Sequence, residues 1–278
     1  RHLNRRDMKQ IPPPGLSRRD SMRWLAYGDK GQYWSPNDTL KGDELKYWKY
    51  QTYIKDYLRC VAGIDRAVGS VLDYLEENGL SENTIVVYTS DQGFYLGEHG
   101  WFDKRWMYEE SFKMPFVIKN PRIIKPGTTS DAMVMNVDFA PTLLDMAGLE
   151  IPSQMQGKSF KEVFEGKNMK NRKSVYYHYY EWPIWHKVQP HYGVRTDRYK
   201  LMHFYYSMDE WELYDLKNDP NEMNNIYSEA PEELIESLKN ELQELRKKYK
   251  DDGSIEEMRR MTDTVIQRVY NEPNKIMK

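Results

Sequence analysis

The chemistry of this chain is densest just beyond a short apolar run, Thr84-Ile85-Val86-Val87-Tyr88-Thr89. The run is followed by Ser90-Asp91-Gln92-Gly93-Phe94-Tyr95-Leu96-Gly97-Glu98-His99-Gly100-Trp101-Phe102-Asp103-Lys104. An aspartate followed by an amide, at the carboxyl end of a strand, offers oxygen ligands to a hard cation. In open parallel sheets the loops diverge past the strand ends and leave a crevice for ligands. Gly93, Gly97 and Gly100 let the backbone run close to a neighbour. His99 and Lys104 add a titratable ring and a compact positive charge suited to an oxyanion such as sulfate or phosphate. Each part has a plainer reading: Asp-Gln-Gly as a turn, Glu98 and His99 as turn caps.

The elements that must position these residues are legible on either side. Tyr47, Tyr50, Ile54, Tyr57, Leu58, Val61, Ile64, Val68, Val71, Leu72 and Leu75 recur at spacings of three and four, which predicts a helix from about Asp43 to Asn78, stopped by Gly79. The continuous, β-branched run 84–89 has the pattern of a strand buried on both faces of a parallel sheet. Pro115 to Lys119 reads as another strand, and Val137 to Gly148 as a short helix. Near residue 170 the texture changes to aromatic strands at 176–180, 192–196 and 199–205, with Leu213 to Leu216 following. An amphipathic helix from Pro231 to Lys250 comes after, with Leu234, Leu238, Leu242 and Leu245 on one face. This division predicts an α/β unit over residues 1–170 and an antiparallel sheet with a helix over 171–278. Residues 1–42, rich in Pro, Gly, Arg and Asp, read as a long surface loop.

The fifteen residues 90–104 resemble the C-terminal signature of the sulfatase family, within the alkaline-phosphatase-like superfamily. That pattern is a strand, Asp-(Asn/Gln/His)-Gly, Gly-Glu-His-Gly, and then a lysine. The resemblance extends to Ala62-Gly63-Ile64-Asp65-Arg66-Ala67-Val68-Gly69, to Val137-Asp138-Phe139-Ala140-Pro141-Thr142, to Val194-Arg195-Thr196-Asp197-Arg198-Tyr199-Lys200-Leu201 and to Glu212-Leu213-Tyr214-Asp215-Leu216. It implies an α/β fold with a mixed or mainly parallel sheet flanked by helices, plus a small antiparallel subdomain. It further implies that Asp91 and Gln92 are ligands of a divalent cation, most often Ca2+, that Lys104 contacts sulfate, and that His99 touches substrate or holds the loop. The implied compartment is secreted, periplasmic or lysosomal.

Sulfatases also use a formylglycine made from a Cys/Ser-x-Pro-x-Arg motif, and no such motif occurs in these 278 residues. The family's Asp-Asp metal pair is missing as well. The opening Arg1-His2-Leu3-Asn4 is neither a start methionine nor a signal peptide, and we read it as a cut inside a longer protein whose other part supplies the nucleophile. The one cysteine, Cys60, reads as a core residue of the long helix. Of the remaining candidates, His191 and Tyr192, preceded by Trp182, Trp185 and His186, are predicted to line a sugar pocket. The ligand spacing of a second metal site is absent from His178, His186, His191 and His203. Asp103 with Arg105 reads as an ion pair, and Glu109 as a structural carboxylate.

The surroundings of Lys104 and of Tyr176 to Glu181 are similar to glycan sulfatases of the N-acetylglucosamine-6-sulfatase kind, so the expected substrate is a sulfated carbohydrate. Phosphoester or phosphonate hydrolysis by the same superfamily, and a non-catalytic glycan-binding role, are the alternatives. A net charge of -2 gives no reason to expect nucleic acid, and no apolar run is long enough for a membrane span.

Overall fold

The computed structural model describes residues 40–100, 102–166, 172–181 and 188–271. The predicted N-terminal loop, the change of texture near residue 170, and Trp182, Trp185 and His186 therefore lie outside the described residues.

Helix α1 runs Gly42–Glu77. It ends as its sequence predicts: Gly79 takes a left-handed φ of 66°, and the Leu80 amide reaches back to the Leu75 carbonyl at 2.8 Å. No residue of α1 is buried. Its contact with the functional loop is aromatic: the Tyr53 hydroxyl donates to the Tyr95 carbonyl at 3.3 Å, Tyr57 stacks on Phe94 at 6.2 Å, and the Tyr50 ring lies against Gly97. Leu58, Val61, Ile64, Val71 and Leu72 stay exposed. Cys60 is exposed with them, which corrects the core reading; heptad-like spacing shows which face is apolar, not whether anything covers it.

Strand β1 (Val86–Thr89) is followed by the two-residue strands β2 (Tyr95–Leu96) and β3 (Phe102–Asp103). The single-turn helix α2 (Glu109–Phe112) and strand β4 (Phe116–Lys119) come next. β1 pairs with β4 and β2 with β3, both antiparallel. The expectation that β1 is buried on both faces is not met among the described residues, where Val87 and Tyr88 are 38% and 42% exposed. Helix α3 (Phe139–Met146) packs on the short α4 (Lys161–Phe164) through the rings of Phe139, Phe160 and Phe164. Asp138, fully buried before α3, accepts from the Met135 and Lys158 amides at 2.8 Å each and pairs with Arg172.

Strands β5 (Ser174–Tyr179), β6 (His191–Thr196), β7 (Tyr199–Phe204) and β8 (Glu210–Asp215) form a four-stranded antiparallel meander in sequence order. Alternation along the strands divides its side chains between cores on opposite faces. Tyr192, Val194, Leu201 and Leu213 meet Leu238, Leu242 and Leu245 of α5 (Glu232–Lys248) and Met258 of α6 (Ile255–Asn271). Met202, Phe204 and Tyr214 meet Tyr95, Trp106, Met107 and Tyr108, which belong to the segment around Lys104. Gly193 makes that second contact possible: a Cβ there would stand 2.7 Å from the Met107 sulfur and 2.4 Å from the Leu201 carbonyl. The leucine stripe of α5 is core, as its spacing predicts. Helix α6, which the sequence reading passed over, closes the same core.

Glu212 occupies the second core, 1% exposed, accepting from the hydroxyls of Tyr108 at 2.6 Å and Tyr214 at 2.8 Å. Burial, only partly opposed by these donors, raises its pKa from 4.5 to about 7. A carboxyl whose folded pKa is raised stabilises the fold in its protonated form, and that contribution is lost as pH rises from the unfolded value through the folded one. Chemical denaturation between pH 5 and 8 should therefore show stability falling by up to roughly 3 kcal/mol from this group. Glu212→Gln should flatten that slope.

Candidate active site at the Asp91–Lys104 loop

The loop is folded by three local devices. Beyond β1, the Ser90 hydroxyl donates to the Gln92 carbonyl at 2.9 Å and to Asp91 Oδ1 at 3.2 Å, closing a tight turn. Gly93 is then pressed on α2: its amide donates to the Ser111 carbonyl at 2.9 Å, and a Cβ would stand 2.1 Å from the Glu110 carbonyl oxygen. Finally the β2–β3 hairpin, with Tyr95 opposite Asp103 and Leu96 opposite Phe102, returns the chain toward Asp91. The turn of this hairpin needs left-handed backbone at Gly97, His99 and Gly100, with φ of 127°, 54° and 74°. Glu98 supports it by accepting the Leu96 amide at 2.6 Å.

The result is that Lys104 Nζ lies 3.7 Å from Asp91 Oδ2, with side-chain exposures of 31% and 80%. A pair so open to water is worth about 0–1 kcal/mol, so it does little for the fold. It leaves a cation and a carboxylate facing outward together. The side-chain nitrogen of Gln92, the residue that follows Asp91, is buried and meets no partner among the described residues. Such a group needs one, and a half-turn about its last bond puts the amide oxygen there instead. Asp91 and Gln92 thus fit as oxygen donors to a hard cation, which takes six to eight oxygens. Among the described residues no cluster of three His, Cys, Asp or Glu completes such a shell. Asn136 donates to the Asp91 carbonyl at 3.4 Å and ties the start of α3 to the same turn, a contact no local sequence signal announced.

His99 is packed inside the loop. Its side chain is 1% exposed, 3.4 Å from Glu110 and stacked on Tyr108 at 4.7 Å. Burial raises the Glu110 pKa, but the hydrogen bond and charge of His99 outweigh it and leave the carboxyl below its usual value.

His191 and Tyr192 do not form a sugar pocket. His191 is fully buried, stacked on Trp106 at 5.4 Å and Phe204 at 4.8 Å, with Nδ1 2.8 Å from the Gln189 carbonyl. Burial lowers its pKa to about 3. Tyr192 faces the opposite core and bonds His203 at 2.9 Å. Alternation on a sheet covered on both faces leaves neither open to a ligand. His178 and His203 are likewise engaged, with Asp251 at 2.6 Å and Asp209 at 2.9 Å. Arg105 pairs with Asp103 at 3.7 Å and Glu181 at 3.4 Å, and Glu109 is the structural carboxylate predicted.

Comparison with known proteins gives the family. A family model described as N-sulphoglucosamine sulphohydrolase, C-terminal, matches residues 97–248, and one described as Sulfatase matches residues 22–149. The chain belongs to the sulfatase family. It is 51% identical, over 252 residues, to an N-acetylglucosamine-6-O-sulfatase of Bacteroides thetaiotaomicron, covering 89% of this chain and 44% of that protein. A bovine N-acetylglucosamine-6-sulfatase is 32% identical over 203 residues, 62% of this chain and 36% of its own length. A solved structure in complex with its substrate D-glucosamine-2-N,6-O-disulfate superposes with a TM-score of 0.75 at 54% identity, covering 78% of this chain and 45% of the other. The mixed α/β architecture is that of these relatives, and the chain spans less than half the length of each.

Gly93→Ala should force the Asp91 turn off α2. We expect a loss of about 1–3 kcal/mol in thermal or chemical unfolding, because a methyl group has no space against backbone atoms.

Proposed function

We propose that this chain forms the charge-stabilising part of a glycan sulfatase site, acting on sulfate monoesters of an N-acetylglucosamine or glucosamine type sugar. The observation that carries the reading is Lys104 Nζ beside Asp91 at an open edge, with Gln92 next in sequence and its amide nitrogen without a partner among the described residues. The 51% identity to an N-acetylglucosamine-6-O-sulfatase, and the disulfated glucosamine in the solved relative, support the substrate class.

In this proposal Asp91 and Gln92 would hold a divalent cation, Ca2+ being the one suited to all-oxygen ligands. When bound, the cation polarises sulfate oxygens. Lys104 attracts the sulfate and then neutralises negative charge growing on the bridging oxygen as the S–O bond breaks. That charge is larger in the transition state than in bound substrate, so the ammonium acts on the rate more than on binding. The 278 residues contain no Cys/Ser-x-Pro-x-Arg motif, and the proposal assigns no nucleophile to them; a formylglycine would come from residues outside this sequence.

The test uses the full-length gene product and sulfate release from N-acetylglucosamine 6-sulfate, with a phosphate monoester of the same sugar as comparison. Faster turnover of the phosphate ester would overturn the sulfatase reading. Lys104→Ala should lower kcat by about a hundred- to a thousandfold while circular dichroism stays unchanged. Unchanged kcat would remove Lys104 from the site. Asp91→Asn should raise the divalent-cation concentration needed for half-maximal rate by tenfold or more, on the order expected when a charged ligand is replaced by a neutral one; an identical cation requirement would remove Asp91 from the metal shell.

A further inference from the structure

Lys200 sits in β7 with 0% side-chain exposure. Its ammonium is 2.9 Å from Glu109 and 2.7 Å from Glu222, and lies 5.5 Å from the centre of the Phe112 ring. Arg195, its cross-strand partner on β6, reaches Glu109 at 3.4 Å. Glu222, fully buried at a left-handed turn beyond β8, accepts the Glu109 amide at 2.6 Å. Glu109 and Phe112 are the ends of α2, so the sheet grips that single turn at both ends.

The other side of α2 carries the loop. Gly93 donates to Ser111 and is pressed on the Glu110 carbonyl, while Glu110 pairs with His99 at 3.4 Å. A single turn of helix has no stability of its own and takes its place from what holds it. Replacing a buried ion cluster by apolar groups is often neutral for stability, while such clusters can fix register.

We infer that Lys200 is a positioning residue: through α2 it sets where Asp91 and Gln92 stand relative to Lys104. The inference rests on the site reading above and adds a residue that never meets substrate.

The experiment compares Lys200→Met with Leu242→Ala in the full-length gene product. Leu242 is 2% exposed in the core on the opposite face of the sheet, so its truncation costs stability without touching α2. Lys200→Met should lower kcat on the 6-sulfated sugar by about ten- to a hundredfold, with KM within about threefold, as misplacement of a supporting shell does. Hydrogen exchange at the Gly93 amide should accelerate in the same variant. Leu242→Ala should lower Tm yet keep kcat per folded molecule. A fall in kcat no larger in Lys200→Met than in Leu242→Ala, or unchanged Gly93 exchange, overturns the inference. If Lys200→Met fails to fold, Glu110→Gln cuts only the tether from α2 to His99; a several-fold lower kcat is expected, and a wild-type rate overturns the inference. Lys104→Ala measured alongside separates the two proposals: full activity there removes the site reading itself. An impaired Lys104→Ala beside a fully active Lys200→Met overturns only the positioning role.

Discussion

A lysine ammonium with no access to water is stable only where carboxylates meet it, and Lys200 is met by Glu109 and Glu222. Burial raises the Glu222 pKa against the pull of Lys200. Burial also raises that of Glu109, but there Lys200 and Arg195 prevail and the carboxyl stays below its usual value. The set of Lys200, Arg195, Glu109 and Glu222 joins two strands and the turn beyond β8 to one helical turn. Together with the Tyr108–Glu212 hydrogen bond and the Arg105–Glu181 pair, it adds polar contacts that define register more sharply than the apolar ones shared by the meander and the Asp91 loop.

Those apolar contacts are still extensive. Trp106, Met107 and Tyr108 are fully buried immediately after Lys104, and Tyr95 is buried before it. The exposed lysine is therefore carried on a segment whose neighbouring side chains are sealed into the sheet's core. From the other direction Tyr50, Tyr53 and Tyr57 of α1 touch Phe94, Tyr95 and Gly97. Held between a helix and a sheet, the loop presents its charged ends outward with little freedom elsewhere, which is what preorganised electrostatics requires.

Buried polar groups elsewhere serve the fold. Asp251 accepts from Tyr180 at 2.7 Å and from His178 at 2.6 Å, pinning β5 to the segment between α5 and α6. These hydrogen bonds outweigh burial, which acts the other way, and hold its carboxyl well below the usual range. Arg246, buried at the end of α5, donates to the carbonyls of Asp251 and Gly253 at 2.9 and 2.6 Å and lies 4.6 Å over the Tyr192 ring. Among the described residues, His178, His191 and His203 are absorbed into such networks.

The sequence by itself marked out most of the elements and gathered the candidate ligands of the loop in one run. Apolar spacing gave α1 and α5 to within about two residues, and Gly79 stopped α1 and Gly148 stopped α3 because left-handed backbone costs glycine least. The run Asp91 to Lys104 stood out because candidate oxygen ligands, glycines and a lysine were all local in sequence. Tertiary structure decided what covers each face. Cys60 and His191 show the difference: the first lies on an apolar stripe that nothing described here covers, the second is polar yet sealed between Trp106 and Phe204. Burial depends on partners distant in the chain, as do the pairing of Lys200 with Glu109 and Glu222 and the seating of Gly93 on α2. No local pattern encodes those distances, because each arises only when separate elements close on one another.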